Sequence, residues 1–140
     1  MIVVKATKDS EEGKFPRDKE KIFAAMAPYH EELAKAGVLL EASGLQPSSK
    51  RWRVKYSGGK RTVTDGPFTE AKELIAGFWL WQVKSMQEAV EWLKRAPFQG
   101  GDVEIRPIQE TEDFAKELGA PEIAEREARL KEQIAGRSAR

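Results

Sequence analysis

The chain has 140 residues with 24 basic and 23 acidic side chains, no cysteine and a single histidine, a length that suits one domain able to bury its own core. This composition excludes disulfides, thiolate nucleophiles and the usual Cys/His zinc sites, and a net charge of +1 gives no global field for collecting nucleic acid or anionic lipid. No apolar run approaches the ~20 residues of a membrane span, and Ile2-Val3-Val4 meets Lys5 too early for a secretion signal, so the expectation is a soluble, cytoplasmic protein needing neither metal nor cofactor.

IVVKAT, residues 2–7, is short and β-branched and reads as a strand, followed by the polar loop KDSEEGKFP. Pro16 suits a first helical turn, because its ring already fixes a helical φ. Beyond it Ile22, Met26 and Leu33 recur at spacings of four and seven, which predicts a helix with one apolar stripe, kinked at Pro28 and capped by Gly37. VLLEAS, residues 38–43, predicts a second strand. RWRVKY and KRTVT flank Ser57-Gly58-Gly59, whose glycines accept the positive φ of a hairpin turn. GFWLWQV, residues 77–83, combines aromatic and branched residues and predicts a strand. Ser85 and Glu88 have capping-box spacing, so a helix starts at Met86 and ends near Arg95, ahead of Pro97. DVEIRPI, residues 102–108, is the last predicted strand; beyond it Phe114, Leu118, Ile123, Leu130 and Ile134 are thinly spaced among charges, as in a largely solvated helical arm.

Strand, helix, strand, hairpin, strand, helix, strand predicts an α+β sandwich of ferredoxin-like type, an antiparallel sheet with helices on one face. The domain is expected over residues 1–109, with 110–140 as an arm of the same domain. Alternation within residues 77–83 puts Phe78 and Leu80 on one face and Trp79, Trp81 and Val83 on the other. Both faces are apolar while two helices cover one, so the second is expected to lie under the arm or under another copy in a homodimer packed sheet to sheet.

Two residue types stand out for chemistry. In VTDGPFTEAKE, residues 63–73, Pro67 cannot continue a strand ladder, so Asp65 sits on a stiff corner after the hairpin. It is either the cap of an Asx-turn or a carboxylate held ready for a partner. His30 lies on the apolar stripe of the first helix, four residues after Met26 and three before Leu33. It is either a satisfied histidine at the rim of the core or a general acid/base. If the two meet, the carboxylate orients the imidazole and leaves the other ring nitrogen for proton transfer. With no Ser-centred nucleophile motif, proton-transfer or lyase chemistry fits better than acyl transfer. Arg51, Arg53 and Lys55 share one strand face and Trp52, Val54 and Tyr56 the other. Basic and aromatic residues interleave so in sites for single-stranded nucleic acid. The pattern is also that of a strand with one solvated and one buried face, and no specific nucleic-acid binding is expected.

The stretches EELAKAGVLLEASGLQPSS, SGGKRTVTDGPFTEAKELIAGFWLWQVKS, EAVEWL and VEIRPI together resemble the YCII-related family, in particular its DGPF-domain branch. The resemblance implies a ferredoxin-like fold of the dimeric α/β barrel type, dimerising through its sheets. It implies a pocket with a His–Asp pair, here His30 and Asp65 as catalytic residues, with Gly66, Pro67 and Phe68 as pocket wall. One relative is a dehydrochlorinase of a chlorinated hydroxyquinol, which implies an unknown small molecule as substrate. Other relatives resemble domains that accompany extracytoplasmic-function sigma factors, which implies, as the alternative, a non-catalytic ligand-binding or regulatory module.

Overall fold

Four branched and aromatic segments pair into one antiparallel sheet. The strands are β1 (Ile2–Lys5), β2 (Leu39–Gly44), β3 (Trp52–Ser57), β4 (Lys60–Asp65), β5 (Ile75–Trp81) and β6 (Val103–Ile105); the helices are α1 (Lys8–Glu11), α2 (Lys19–Lys35), α3 (Met86–Lys94), α4 (Thr111–Leu118) and α5 (Pro121–Ser138). The main sheet has the order β2-β5-β1-β6, and each of its neighbouring pairs is antiparallel. Setting aside α1 and the β3–β4 hairpin, the sheet strands and the helices between them follow as β1-α2-β2 and β5-α3-β6, an α+β arrangement compatible with the ferredoxin-like expectation. The computed structural model describes residues 1–14, 19–70 and 73–138, so the expectation for Pro16 lies outside the described residues. The chain divides into two compact units, Met1–Arg106 and Pro107–Arg140.

In the first unit the core lies between the sheet and the two longer helices. Ile2, Trp79 and Trp81 from the strands meet Tyr29 and Leu33 of α2, Ala89 of α3 and Val38, with Trp92, Leu93, Phe98, Val103 and Ile105 packed around them. Leu33 is fully buried, as its place on the stripe requires. Gly37 takes φ +72° just past α2, and the Val38 N–H donates to the Leu33 carbonyl, which closes the helix in a left-handed turn. Ser85 Oγ accepts from the Glu88 N–H at 3.1 Å to start α3. The Glu88 carboxylate accepts from the N–H of Lys84 rather than of Ser85, a capping box shifted by one residue on its return arm.

Two expectations are corrected. The polar run after β1 contains α1, because Thr7 and Ser10 cap one another: the Ser10 N–H donates to Thr7 Oγ1 at 3.1 Å and the Thr7 N–H to Ser10 Oγ at 2.8 Å. The hairpin does not have one buried face. β3 and β4 form a two-stranded sheet of their own, and Trp52, Val54, Tyr56 and Val63 are all exposed. The register pairs Val54 with Val63 and Tyr56 with Arg61, so the apolar side chains do share a face, but among the described residues no helix of the first unit packs over it.

The second unit is a helix pair, not one helix. Gly119, at φ +63°, ends α4 in a left-handed turn, and α5 begins two residues later. Ala115 is buried, whereas Phe114, Leu118, Leu130 and Ile134 are exposed, and Lys131 pairs with Glu110 at 3.7 Å. Among the described residues no helix is long and apolar enough to cross a membrane.

Candidate functional site

Trp79, in the interior of β5, is the hub of an aromatic cluster. It stacks on Trp81 at 5.5 Å between ring centroids and meets Phe98 at 5.7 Å. Tyr29 and His30, adjacent on α2, approach it edge-on at 5.9 Å and 5.7 Å. The Trp79 indole N–H donates to His30 Nε2 at 2.9 Å. The Tyr29 hydroxyl donates to the Trp92 carbonyl at 2.7 Å, and burial pushes the phenol up to about 12 from an ordinary value of 10.0. The Trp81 indole N–H is buried without a partner. Neither the hub role of Trp79 nor the burial of Tyr29 is among the candidates that the sequence suggests. Tyr29 is within reach of such reasoning, standing four residues before Leu33 on the same helix face.

A cavity of about 240 Å³ opens beside this cluster, bounded among others by Val4, Met26, His30, Gly77, Trp79 and Phe98. Its floor is a bare patch of sheet. Gly77 is the register partner of Gly44 on β2 and of Val4 on β1, so two glycines lie side by side with no side chains to fill the space. A Cβ on Gly77 would stand 2.8 Å from the Ser43 carbonyl oxygen, so the floor admits no larger residue without movement. The wall is almost wholly apolar, and among the described residues His30 is its single titratable side chain. His30 Nε2 is engaged by Trp79; among the described residues Nδ1 has no hydrogen-bond partner. Nor is it sealed away, since the one buried side-chain polar atom without a partner among the described residues is Trp81 Nε1.

Asp65 lies elsewhere in the first unit. It is exposed at the end of β4, opposite Trp52 in the ribbon register, and among the described residues no hydrogen bond or ion pair joins it to His30. The residues after it are tied to the 3-10 turn Ser48–Lys50. The Gly66 N–H donates to the Arg51 carbonyl at 2.9 Å, and a Cβ on Gly66 would fall 1.7 Å from the Ser48 carbonyl oxygen, so only glycine fits that approach. The Gly66–Pro67 peptide is cis. The Phe68 N–H donates to Ser48 Oγ at 2.9 Å, while the N–H of the fully buried Ser48 donates to Glu11 Oε2 at 3.0 Å. The Arg53 guanidinium lies 3.9 Å from the centre of the Phe68 ring, a cation–π contact. Gly66, Pro67 and Phe68 are not among the residues that bound the His30 cavity. Nothing in the sequence marks Ser48 as the buried anchor of this corner.

Among the described residues no group of three or more His, Cys, Asp or Glu side chains is placed to hold a metal ion. Residues 1–112 match the family model described as YCII-related domain. The chain is also similar to an uncharacterised protein of Rhizobium meliloti, with 30% identity over 92 residues, which cover 64% of this chain and 74% of that protein.

Proposed function

The chain belongs to the YCII-related family, and we propose that it binds a small, mainly apolar molecule in the His30 cavity and acts on it by proton transfer of lyase type. One observation supports this reading: the only imidazole of the chain stands on the wall of an apolar cavity with a ring nitrogen that has no partner among the described residues. A polar group converging on an apolar pocket is the usual build of a ligand site. At about 240 Å³ the cavity is smaller than the ~300–1,000 Å³ that holds drug-sized ligands, which suits a single-ring molecule. In this reading Nδ1 is the nitrogen left for proton transfer, because Nε2 accepts from Trp79, and a carboxylate on Nδ1 would leave none; Asp65→Asn, which removes the charge while keeping the turn acceptor, should therefore leave ligand binding and turnover unchanged.

The second reading, a non-catalytic ligand-binding or regulatory module, is favoured by the lack of a second titratable group on the cavity wall. A thermal-shift screen of metabolites on wild type beside His30→Ala, with product analysis of each hit, tests both. A ligand of the cavity raises the melting temperature of wild type more than that of the variant. Turnover of that ligand supports the enzyme; binding without turnover supports the module. Hits that stabilise both proteins equally contradict a site at His30.

A further inference from the structure

We infer that Trp79 is a positioning residue that holds neutral His30 as the Nδ1–H tautomer, so that the cavity offers its ligand a hydrogen-bond donor. The complementary ligand carries an acceptor oxygen, a carbonyl or phenolate, on a single-ring apolar body. The inference rests on the proposed His30 cavity site and names the ligand chemistry left open there.

The bonding allows one assignment. An indole N–H donates and cannot accept, so the contact at 2.9 Å requires a lone pair on His30 Nε2. A neutral imidazole carries one ring proton, which must then sit on Nδ1. Unconstrained histidine side chains favour the opposite tautomer, so the arrangement is imposed by its surroundings. Trp79 is itself held, 5% exposed, stacked on Trp81 and in tilted contact with the Phe98 ring. Its indole plane stands at 89° to the imidazole. The Nδ1–H has no partner among the described residues, and of the described side chains that bound the cavity only Ser43 carries an acceptor oxygen, its hydroxyl donating to Glu41 Oε1 at 3.2 Å. A ligand oxygen is the partner that completes it. Chemically, a neutral imidazole donating at Nδ1 polarises an oxygen and stabilises charge that develops there; in the proposed proton transfer His30 therefore serves as the donor at that oxygen and not as the base, for which the same atom would need its lone pair.

The single histidine makes the test unambiguous. Heteronuclear NMR of isotope-labelled wild type in alkaline buffer, where imidazoles are neutral, should show a pyrrole-type Nδ1, a pyridine-type Nε2, and a scalar coupling from the Trp79 indole nitrogen to Nε2. An Nε2–H tautomer in wild type overturns the inference, whatever the cavity binds. In Trp79→Phe, folded by its amide spectrum, the ring should revert to Nε2–H; retention of Nδ1–H shows that Trp79 does not set it. For the ligand, the shape-matched probes are acetophenone and ethylbenzene. Acetophenone should bind wild type about 3- to 10-fold more tightly, the worth of one net hydrogen bond, and shift the Nδ1 resonance, with the preference lost in Trp79→Phe. Equal binding of the two overturns the donor assignment while leaving the cavity as a site. Failure of both to perturb the ring overturns the single-ring ligand class.

Discussion

Trp79 and Trp52 both lie on antiparallel strands, yet Trp79 is 5% exposed and Trp52 is 70% exposed. The difference lies in how each strand is connected to the next element. β1 is followed by α2, after the short α1, and β5 by α3, and the apolar stripes of α2 and α3 return over the strands and cover Ile2, Trp79 and Trp81. β3 and β4 are joined by the turn at Gly58, at φ +57°, and among the described residues no helix of the first unit folds back over them. Strand alternation dictates which side chains share a face; whether that face is dry depends on the connection leaving the strand.

The largest effect should separate the two regions outright. Leu33→Ala, at a fully buried position, should cost about 2–5 kcal/mol in chemical denaturation, whereas Trp52→Ala should stay within about 0.5 kcal/mol. A core-sized loss for Trp52→Ala would mean that another surface covers the ribbon in solution. Next comes the corner that ties the ribbon to the Ser48 turn. Gly66→Ala, whose Cβ would overlap the Ser48 carbonyl, should cost about 1–3 kcal/mol or more, as overpacking does, and the amide resonances of Ser48 and Phe68 should move.

Tyr29→Phe is smaller, about 1 kcal/mol for the hydrogen bond to Trp92, but it carries a pH signature. Burial raises the phenol of the native state from 10.0 to about 12, so the folded chain keeps its proton where the unfolded chain loses it. This contribution is complete below about pH 10 and is lost as pH rises towards 12. Denaturation midpoints should therefore fall more steeply over that window in wild type than in Tyr29→Phe; parallel profiles would contradict the burial of this hydroxyl. The smallest effect concerns the stacked pair. Trp81→Phe removes a buried N–H without a partner, whereas Trp79→Phe breaks a bond to His30. With similar ring truncation in each, Trp81→Phe should be milder by about 1 kcal/mol, measured as the difference in unfolding free energy.

What the residues reveal on their own is local. The strand at Trp79, the helix after Ser85, the turns at Gly37 and Gly58 and the inward stripe of Met26, His30 and Leu33 each depend on neighbours within a few positions, and each is found. α1 escapes because four residues in a polar run carry no periodicity, only a reciprocal Thr7–Ser10 cap. The anchoring of Phe68 by Ser48 spans 20 positions and the bond from Trp79 to His30 spans 49. Alternation puts a side chain on the right face without naming the atom it meets. The stripe places His30 at the core, but the cavity beside it exists because Gly44 and Gly77 fall opposite one another in the β2–β5 register, a coincidence of two distant strands.

The most direct test of the His30 cavity as a ligand site is an amide-resolved NMR titration of wild type with acetophenone. If the cavity is the site, the resonances of Met26, His30, Gly77 and Phe98 move together with saturation, and those of residues 52–65 in the exposed ribbon stay in place. Perturbations gathered on the ribbon, with the cavity amides unmoved, would contradict it.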